Sequence, residues 1–301
     1  MTLRYDAGEI ITAMVTPFNE KREIDYGAAE KLAKHLIANG SDSILVAGTT
    51  GESPTLTHEE EYELLYVVKS AIQGTGAKVV VGAGSNSTRT AVASSKKMKE
   101  LGADALLSVV PYYNKPNQQG LIEHFGEIAR AVDTPIIMYN IPGRTGINMS
   151  PATVAFLAKE YSNIAALKQS YFDMDIVSEI KIECPDDFAI YSGDDSLTLP
   201  MLSLGAHGVI SVASHVIGNE IKSMIHNFKT GQYNAAKNMH MKLYPLFKKL
   251  FMAPNPIPLK AVLSKLKLVE NYVRRPLVEL NEFERQELFD VLECVQKSLE
   301  D

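Results

Sequence analysis

The chain has no tryptophan and only two cysteines in 301 residues. Cys184 and Cys294 stand far apart and form no C-x-x-C pair, so their spacing excludes a cysteine metal site, and a reducing compartment is the simplest reading. Blocks of like charge are also missing. The 30 Lys and Arg residues are scattered among 36 Asp and Glu, a formal charge of −6, so the basic footprint of a nucleic-acid binder is absent. No stretch approaches the ~18 consecutive apolar residues of a membrane span. Met1 to Glu9 carries Arg4, Asp6 and Glu9 where a secretory signal would be apolar. The expectation is a cytoplasmic protein with neither membrane nor nucleic acid among its partners. No Gly/Ser-rich linker or low-complexity segment divides the chain, and a composition 46% hydrophobic and 22% charged suits a protein with a large core.

What is present is a repeat of short apolar runs: Ile10 to Phe18, Ser43 to Gly48, Lys78 to Gly84, Ala105 to Tyr113, Pro135 to Pro142, Ile164 to Ser170, Phe188 to Asp195 and Gly208 to His215. Segments of helical period lie between them, such as Tyr26 to Asn39 and His58 to Gln73. Near-continuous apolar strands alternating with amphipathic helices imply a parallel sheet covered by helices. Eight such units fit a closed (β/α)8 TIM barrel better than an open sheet, and such barrels commonly reach this length as one domain. After His215 the strand signal stops. The remainder reads as helix broken by Pro245, Asn255-Pro256-Ile257-Pro258 and Pro276. The expected organisation is an α/β catalytic barrel over residues 1–225 and a C-terminal helical extension over 226–301, packed on the barrel.

Catalytic residues of such barrels come from the C-terminal ends of the strands and the loops that follow. That rule selects Thr49, Thr50 and Glu52, Gly84 to Asn86, Tyr112 and Tyr113, Tyr139, Asn140 and Arg144, Lys168, Gly193 to Asp195, and Ile210 to Ser214. Lys168 ends the apolar run Ile164-Ala165-Ala166-Leu167. A lysine directed into the barrel mouth would lose hydration, which favours the neutral amine that attacks carbonyls. From position alone a solvated lysine at a strand end is the competing reading. Tyr139 reads as a proton shuttle or as a packed barrel aromatic. Gly48-Thr49-Thr50-Gly51-Glu52-Ser53 reads as a cradle for a small carboxylate or as an ordinary βα turn.

Taken together, GTTGES at Gly48 to Ser53, PYYNKP at Pro111 to Pro116, YNIPGRTG at Tyr139 to Gly146, the lysine of the sixth run, SGDD at Ser192 to Asp195, GVISV at Gly208 to Val212 and NPIPLK at Asn255 to Lys260 resemble the dihydrodipicolinate synthase and N-acetylneuraminate lyase family of pyruvate aldolases. The likeness runs through nearly the whole chain. Arg144 and the Asn-Pro-Ile-Pro segment look like its dihydrodipicolinate synthase branch. The resemblance implies Schiff-base (class I) condensation of pyruvate with L-aspartate-4-semialdehyde to 4-hydroxytetrahydrodipicolinate, in lysine and diaminopimelate biosynthesis. It implies no cofactor and no metal. Carried over residue by residue, it makes Lys168 the imine-forming nucleophile and assigns a proton relay to Thr49, Tyr139 and Tyr113, the last reaching in from a neighbouring subunit. Thr49 and Thr50 would bind the pyruvate carboxylate, Arg144 the semialdehyde carboxylate, and Gly193 and Ile210 would line the pocket through backbone groups. A homodimer, within a homotetramer, would be the working assembly.

Two departures stand out. Gln169 follows the lysine where many members carry an acidic residue. For the lysine feedback pocket, Ser53, His58, Asn86 and Tyr112 fit the pattern, whereas Pro54, Glu61 and Thr90 do not, so weak or absent inhibition by lysine is expected. The competing functions are another pyruvate-dependent lyase of this family, acting on N-acetylneuraminate or a 2-keto-3-deoxy sugar acid, and a keto-acid-binding barrel without turnover. A metal-dependent lyase would use Asp194-Asp195 with His207 and His215, although that acidic pair reads more simply as a helix cap. Gly82-Ala83-Gly84-Ser85 lacks the third glycine of a dinucleotide loop, where Ser87 stands.

Overall fold

Valine, isoleucine, leucine and alanine dominate the strands, whose residues are buried with few exceptions, as a parallel sheet covered by helices requires. In the computed structural model, which describes residues 2–300, the strands are β1 (Ile10–Ala13), β2 (Ser43–Val46), β3 (Lys78–Gly82), β4 (Ala105–Val109), β5 (Ile136–Asn140), β6 (Ile164–Gln169), β7 (Ala189–Ser192) and β8 (Gly208–Ser211). They follow one another in sequence order around a closed barrel. Met1 and Asp301, the outer bounds of the barrel and extension expected above, lie outside the described residues.

Strand starts fall within a residue of the apolar runs, but strand ends come one to five residues earlier than the runs suggest. The mouth loops continue apolar after the ladder stops. β4 ends at Val109 because Pro111 has no N–H to donate and Tyr113 and Lys115 turn the chain with φ of 73° and 45°.

Contacts within the chain gather into two compact units. One takes the residues up to Gly8 with Lys78–Ile210, and so holds β3 to β7 and most of β8. Arg4 ties its N-terminal segment to Asp187 at 2.8 Å, and the Tyr191 hydroxyl donates to the Gly8 carbonyl. The other takes Glu9–Ala77 and the chain from Ser211 on. It holds β1, β2, the helices Tyr26–Ala38 and His58–Ala71, and the C-terminal helices Ser214–Lys229, Tyr233–Lys249, Ile257–Lys265 and Glu282–Glu300.

The helix His58–Ala71 begins as its sequence requires. Thr57 Oγ1 accepts from Glu60 N while the Glu60 carboxylate accepts from Thr57 N, a reciprocal capping box followed by an acidic first turn. Pro245 corrects the sequence reading, because the helix Tyr233–Lys249 runs through it. A proline there removes only its bond to the carbonyl of residue 241, and Met241 stands exposed on the solvent side, where water can replace the missing donor.

Candidate active site

In the first unit the register pairs Tyr139 on β5 with Lys168 on β6, and Lys168 with Tyr191 on β7. Lys168 is therefore flanked on both sides by tyrosines. It is 6% exposed, Tyr139 is 5% exposed, and the Lys168 ammonium lies 4.4 Å from the centroid of the Tyr139 ring. A cation facing an aromatic ring is held electrostatically with little need of water, which explains how a lysine is accommodated at the end of an apolar strand. The expectation that Lys168 and Tyr139 meet is met, whereas the solvated-lysine alternative is not.

Gly193 follows β7 immediately beyond the lysine. A Cβ there would collide with Ser170 Oγ and come within 3.0 Å of Lys168 Cε, so glycine is what leaves room for the lysine side chain. Gly193 N donates to the Gln169 carbonyl. Ile210 lies on β8 and is buried.

Arg144 sits beyond β5 on a single helical turn, Pro142–Thr145, closed by Gly146 at φ 76°. Proline at the first helical position and glycine after the last fix such a turn. A cavity of about 560 Å³ opens here, lined by Tyr112, Tyr113, Lys115, Pro142, Arg144 and Gly146 among others. Its two cations face no acidic lining residue, so the cavity suits an anion. Tyr113 is 89% exposed and held at positive φ, so its ring stands off the surface of its own chain.

Thr49 and Thr50 belong to the second unit, on the loop after β2. Gly51 is needed there, because a Cβ would lie 3.2 Å from the Met14 carbonyl oxygen and 3.3 Å from Ala47 N. The Thr16 hydroxyl donates to the Gly51 carbonyl at 2.7 Å, and Glu52 turns the chain in the left-handed region at φ 56°. Thr50 is buried, and its hydroxyl accepts from Asn255 Nδ2 at 2.8 Å. With that lone pair occupied, the Thr50 O–H is free to donate elsewhere, the orientation a bound carboxylate needs.

Sequence reasoning missed the supports behind this loop. Glu52 accepts from Lys260 Nζ at 2.6 Å and from Arg274 N at 2.9 Å, and the Arg274 guanidinium makes a forked pair with Glu60 at 2.7 and 2.6 Å. Burial pushes the Lys260 ammonium down to about 8, with Glu52 opposing the shift. One signal was available: Lys260 lies inside the apolar run Ile257-Pro258-Leu259-Lys260-Ala261-Val262-Leu263, and a buried charge requires a partner.

Asp194 acts as the cap that its sequence suggested, its carboxylate accepting from Ser196 N and Ser196 Oγ at 3.0 and 2.9 Å. His215 spends both ring nitrogens on backbone groups, and among the described residues no three acidic, His or Cys side chains converge as a metal would need. No helix among them is long and apolar enough to cross a membrane.

The chain is similar to known proteins along almost its whole length. It is 52% identical over 286 residues to the 4-hydroxy-tetrahydrodipicolinate synthase of a Synechococcus species, covering 95% of this chain and 93% of that one. It is 53% identical over 277 residues to the enzyme of the same name from Heliobacterium modesticaldum, covering 92% of each. A crystal structure of DHDPS from Cyanidioschyzon merolae with lysine bound superposes with a TM-score of 0.95 at 50% identity, covering 96% of this chain and 98% of that one. Residues 6–295 match the pattern of the Dihydrodipicolinate synthetase family, and the chain belongs to that family.

Proposed function

We propose that the chain condenses pyruvate with L-aspartate-4-semialdehyde to give 4-hydroxytetrahydrodipicolinate through a Schiff base on Lys168. The observation that carries this reading is the buried Lys168 ammonium, 4.4 Å from the Tyr139 ring and beside a glycine where a Cβ would crowd it. The Lys168 amine attacks C2 of pyruvate, and the resulting carbinolamine loses water with a proton delivered by Tyr139. Loss of a C3 proton turns the imine into an enamine, whose C3 attacks the aldehyde carbon of the semialdehyde while the aldehyde oxygen takes up a proton. The semialdehyde's own amine then displaces Lys168 from C2 and closes the ring.

Thr49 links Tyr139 to Tyr113 of an adjacent subunit in the proton relay. The Thr50 hydroxyl, oriented by Asn255, binds the pyruvate carboxylate. Arg144 holds the semialdehyde carboxylate by a bidentate pair in its cationic cavity. Backbone groups of Gly193 and Ile210 line the pocket. The working unit is a homodimer within a cytoplasmic homotetramer, and each chain consists of a barrel over 1–225 and an extension over 226–301. Feedback by lysine is weak or absent in this reading, because Pro54, Glu61 and Thr90 stand where strongly inhibited members carry other residues.

Borohydride trapping tests this reading. Treatment with pyruvate and borohydride should inactivate the wild-type protein and add one reduced pyruvyl group to Lys168. Lys168→Ala should gain no mass. An unmodified Lys168, together with activity lost on chelation, would replace the Schiff base with a metal-dependent lyase.

A further inference from the structure

Gln169 and Asn140 end neighbouring strands directly after Lys168 and Tyr139, and the register pairs them with each other. Strand alternation turns them to the opposite face from the lysine and its tyrosine. Both are fully buried. Asn140 Nδ2 donates one hydrogen to Gln169 Oε1 at 3.0 Å and the other to Asn148 Oδ1 at 2.7 Å, while Asn140 Oδ1 accepts from Met149 N at 3.1 Å. Asn140 thus holds both ends of the loop 141–148, since it opens that loop covalently and closes it through Asn148 and Met149. Arg144 lies in the middle. Gln118 reinforces the closure, donating to the Asn148 carbonyl at 2.9 Å and accepting from Ser150 N at 3.0 Å.

Gln169, Asn148 and the Met149 N–H together fix which way the Asn140 amide points. With acceptors on Gln169 and Asn148, the NH2 group must face them and the oxygen must face Met149 N. Remove the Gln169 acceptor and one buried amide hydrogen loses its partner, a cost that weakens the Asn140 anchor of the loop closure. Gln169 Nε2, by contrast, is buried with no hydrogen-bond partner. Only the oxygen half of the side chain serves the network.

We propose that Gln169 is a positioning residue for the aldehyde-acid subsite: through Asn140 it sets the loop that carries Arg144, and it leaves pyruvate capture by Lys168 alone. This inference rests on the roles of Lys168 and Arg144 proposed above. Because the Gln169 nitrogen bonds nothing, Gln169→Glu retains the acceptor and should retain the positioning, whereas Gln169→Leu fills the same space without it.

The test is a comparison of both substrates across three variants. In Gln169→Leu, KM for the semialdehyde should rise about three- to tenfold, the effect of one hydrogen bond, while half-saturation of borohydride trapping by pyruvate stays at the wild-type value. Gln169→Glu should restore the semialdehyde KM. Asn148→Ala, a change in a half-buried loop residue that spares the barrel, should reproduce the same split. Amide hydrogen exchange over 141–149 should accelerate in Gln169→Leu and Asn148→Ala and return to normal in Gln169→Glu. A Gln169→Leu protein with an unchanged semialdehyde KM, equal losses for both substrates, or a Gln169→Glu protein as impaired as the leucine variant would each overturn the proposal. Failure of the underlying reading looks different: pyruvate trapping on Lys168 would be missing from wild type, or Arg144→Ala would leave the semialdehyde KM unchanged. The exchange measurement would then still decide whether Gln169 holds the loop.

Discussion

Lys260 Nζ donates to Glu52 Oε1 at 2.6 Å with both side chains withdrawn from solvent, 0% and 1% exposed. The lysine also donates to the Tyr272 carbonyl at 2.8 Å and lies 4.0 Å from the Phe18 ring centroid, so through Glu52 it ties the loop after β2 to the C-terminal segment. Removing one partner strands the other charge in the interior, which typically costs ~3–5 kcal/mol, while replacing both can be nearly neutral. Lys260→Met and Glu52→Gln should therefore each lower the urea midpoint strongly, and the double variant should regain much of the loss. Additive losses in the double variant would count against a mutually dependent pair.

A second prediction concerns acid. His215 is fully buried; Nε2 accepts from Val15 N–H at 3.2 Å and Nδ1 donates to the Val212 carbonyl at 2.8 Å, so the ring is held neutral. Burial pushes its pKa down from 6.5 to about 4, and burial does the same to His124. A histidine whose folded pKa lies below its unfolded value stabilises fully above about 6.5. That stability is lost as pH falls toward 4, because the unfolded chain takes up the proton first. The difference corresponds to about 3 kcal/mol for His215. Urea unfolding from pH 7 to 4.5 should show falling stability well above the carboxylate range, and His215→Gln should flatten that fall. An equal slope in the variant would assign the acid sensitivity elsewhere.

How much of this was legible in the sequence follows from interaction range. Strand starts, the Thr57 capping box and the aromatic company of Lys168 depend on periodicity or on neighbouring strand ends, which a repeat of β and α segments exposes. Contacts such as Asn255 with Thr50 and Lys260 with Glu52 join residues 205 and 208 positions apart. No local pattern encodes such a pairing, although a lysine inside an apolar helix declared that a partner must exist. Strand ends and the uninterrupted helix at Pro245 escaped for another reason. Propensity describes what a residue prefers, whereas the ladder stops and the helix continues according to whether water or another group satisfies the freed backbone atoms.

The choice of aldehyde depends on Arg144. Its loss leaves Lys115 as the remaining cation lining that cavity, without the forked geometry that grips a carboxylate. Arg144→Ala should lose about 2–4 kcal/mol of transition-state binding, on the order of 30- to 1000-fold in kcat/KM with the semialdehyde, while still forming the pyruvyl imine. Steady-state kinetics paired with borohydride trapping separates the two steps. Full activity of the variant on the semialdehyde would remove that substrate assignment, and turnover of N-acetylneuraminate would redirect it within the family.

The last prediction decides whose Tyr113 serves a given site. Within one chain Tyr113 lines the same cavity as Arg144, yet it is almost fully exposed and held at φ 73°, an uncommon backbone state for a bulky side chain. A tyrosine has an apolar ring suited to burial in an interface and a hydroxyl that can still carry a proton. A two-fold contact would place the loops of both partners reciprocally. Loss of a positioned proton carrier typically costs ~10²–10⁴-fold, so Tyr113→Phe homo-oligomers should be nearly inactive, as should Lys168→Ala. Mixing the two variants separates the readings. If Tyr113 acts on its partner's site, a dimer of one Tyr113→Phe chain and one Lys168→Ala chain contains one intact site, built from the lysine of the first and the tyrosine of the second, and regains up to half the wild-type activity per dimer. If Tyr113 serves its own chain, each site in the mixed dimer lacks one group and activity stays at the level of the parents. Co-refolded dimers, verified as mixed by native mass spectrometry, supply the measurement, and inactivity in them would reject the shared site while leaving the Schiff base on Lys168 intact.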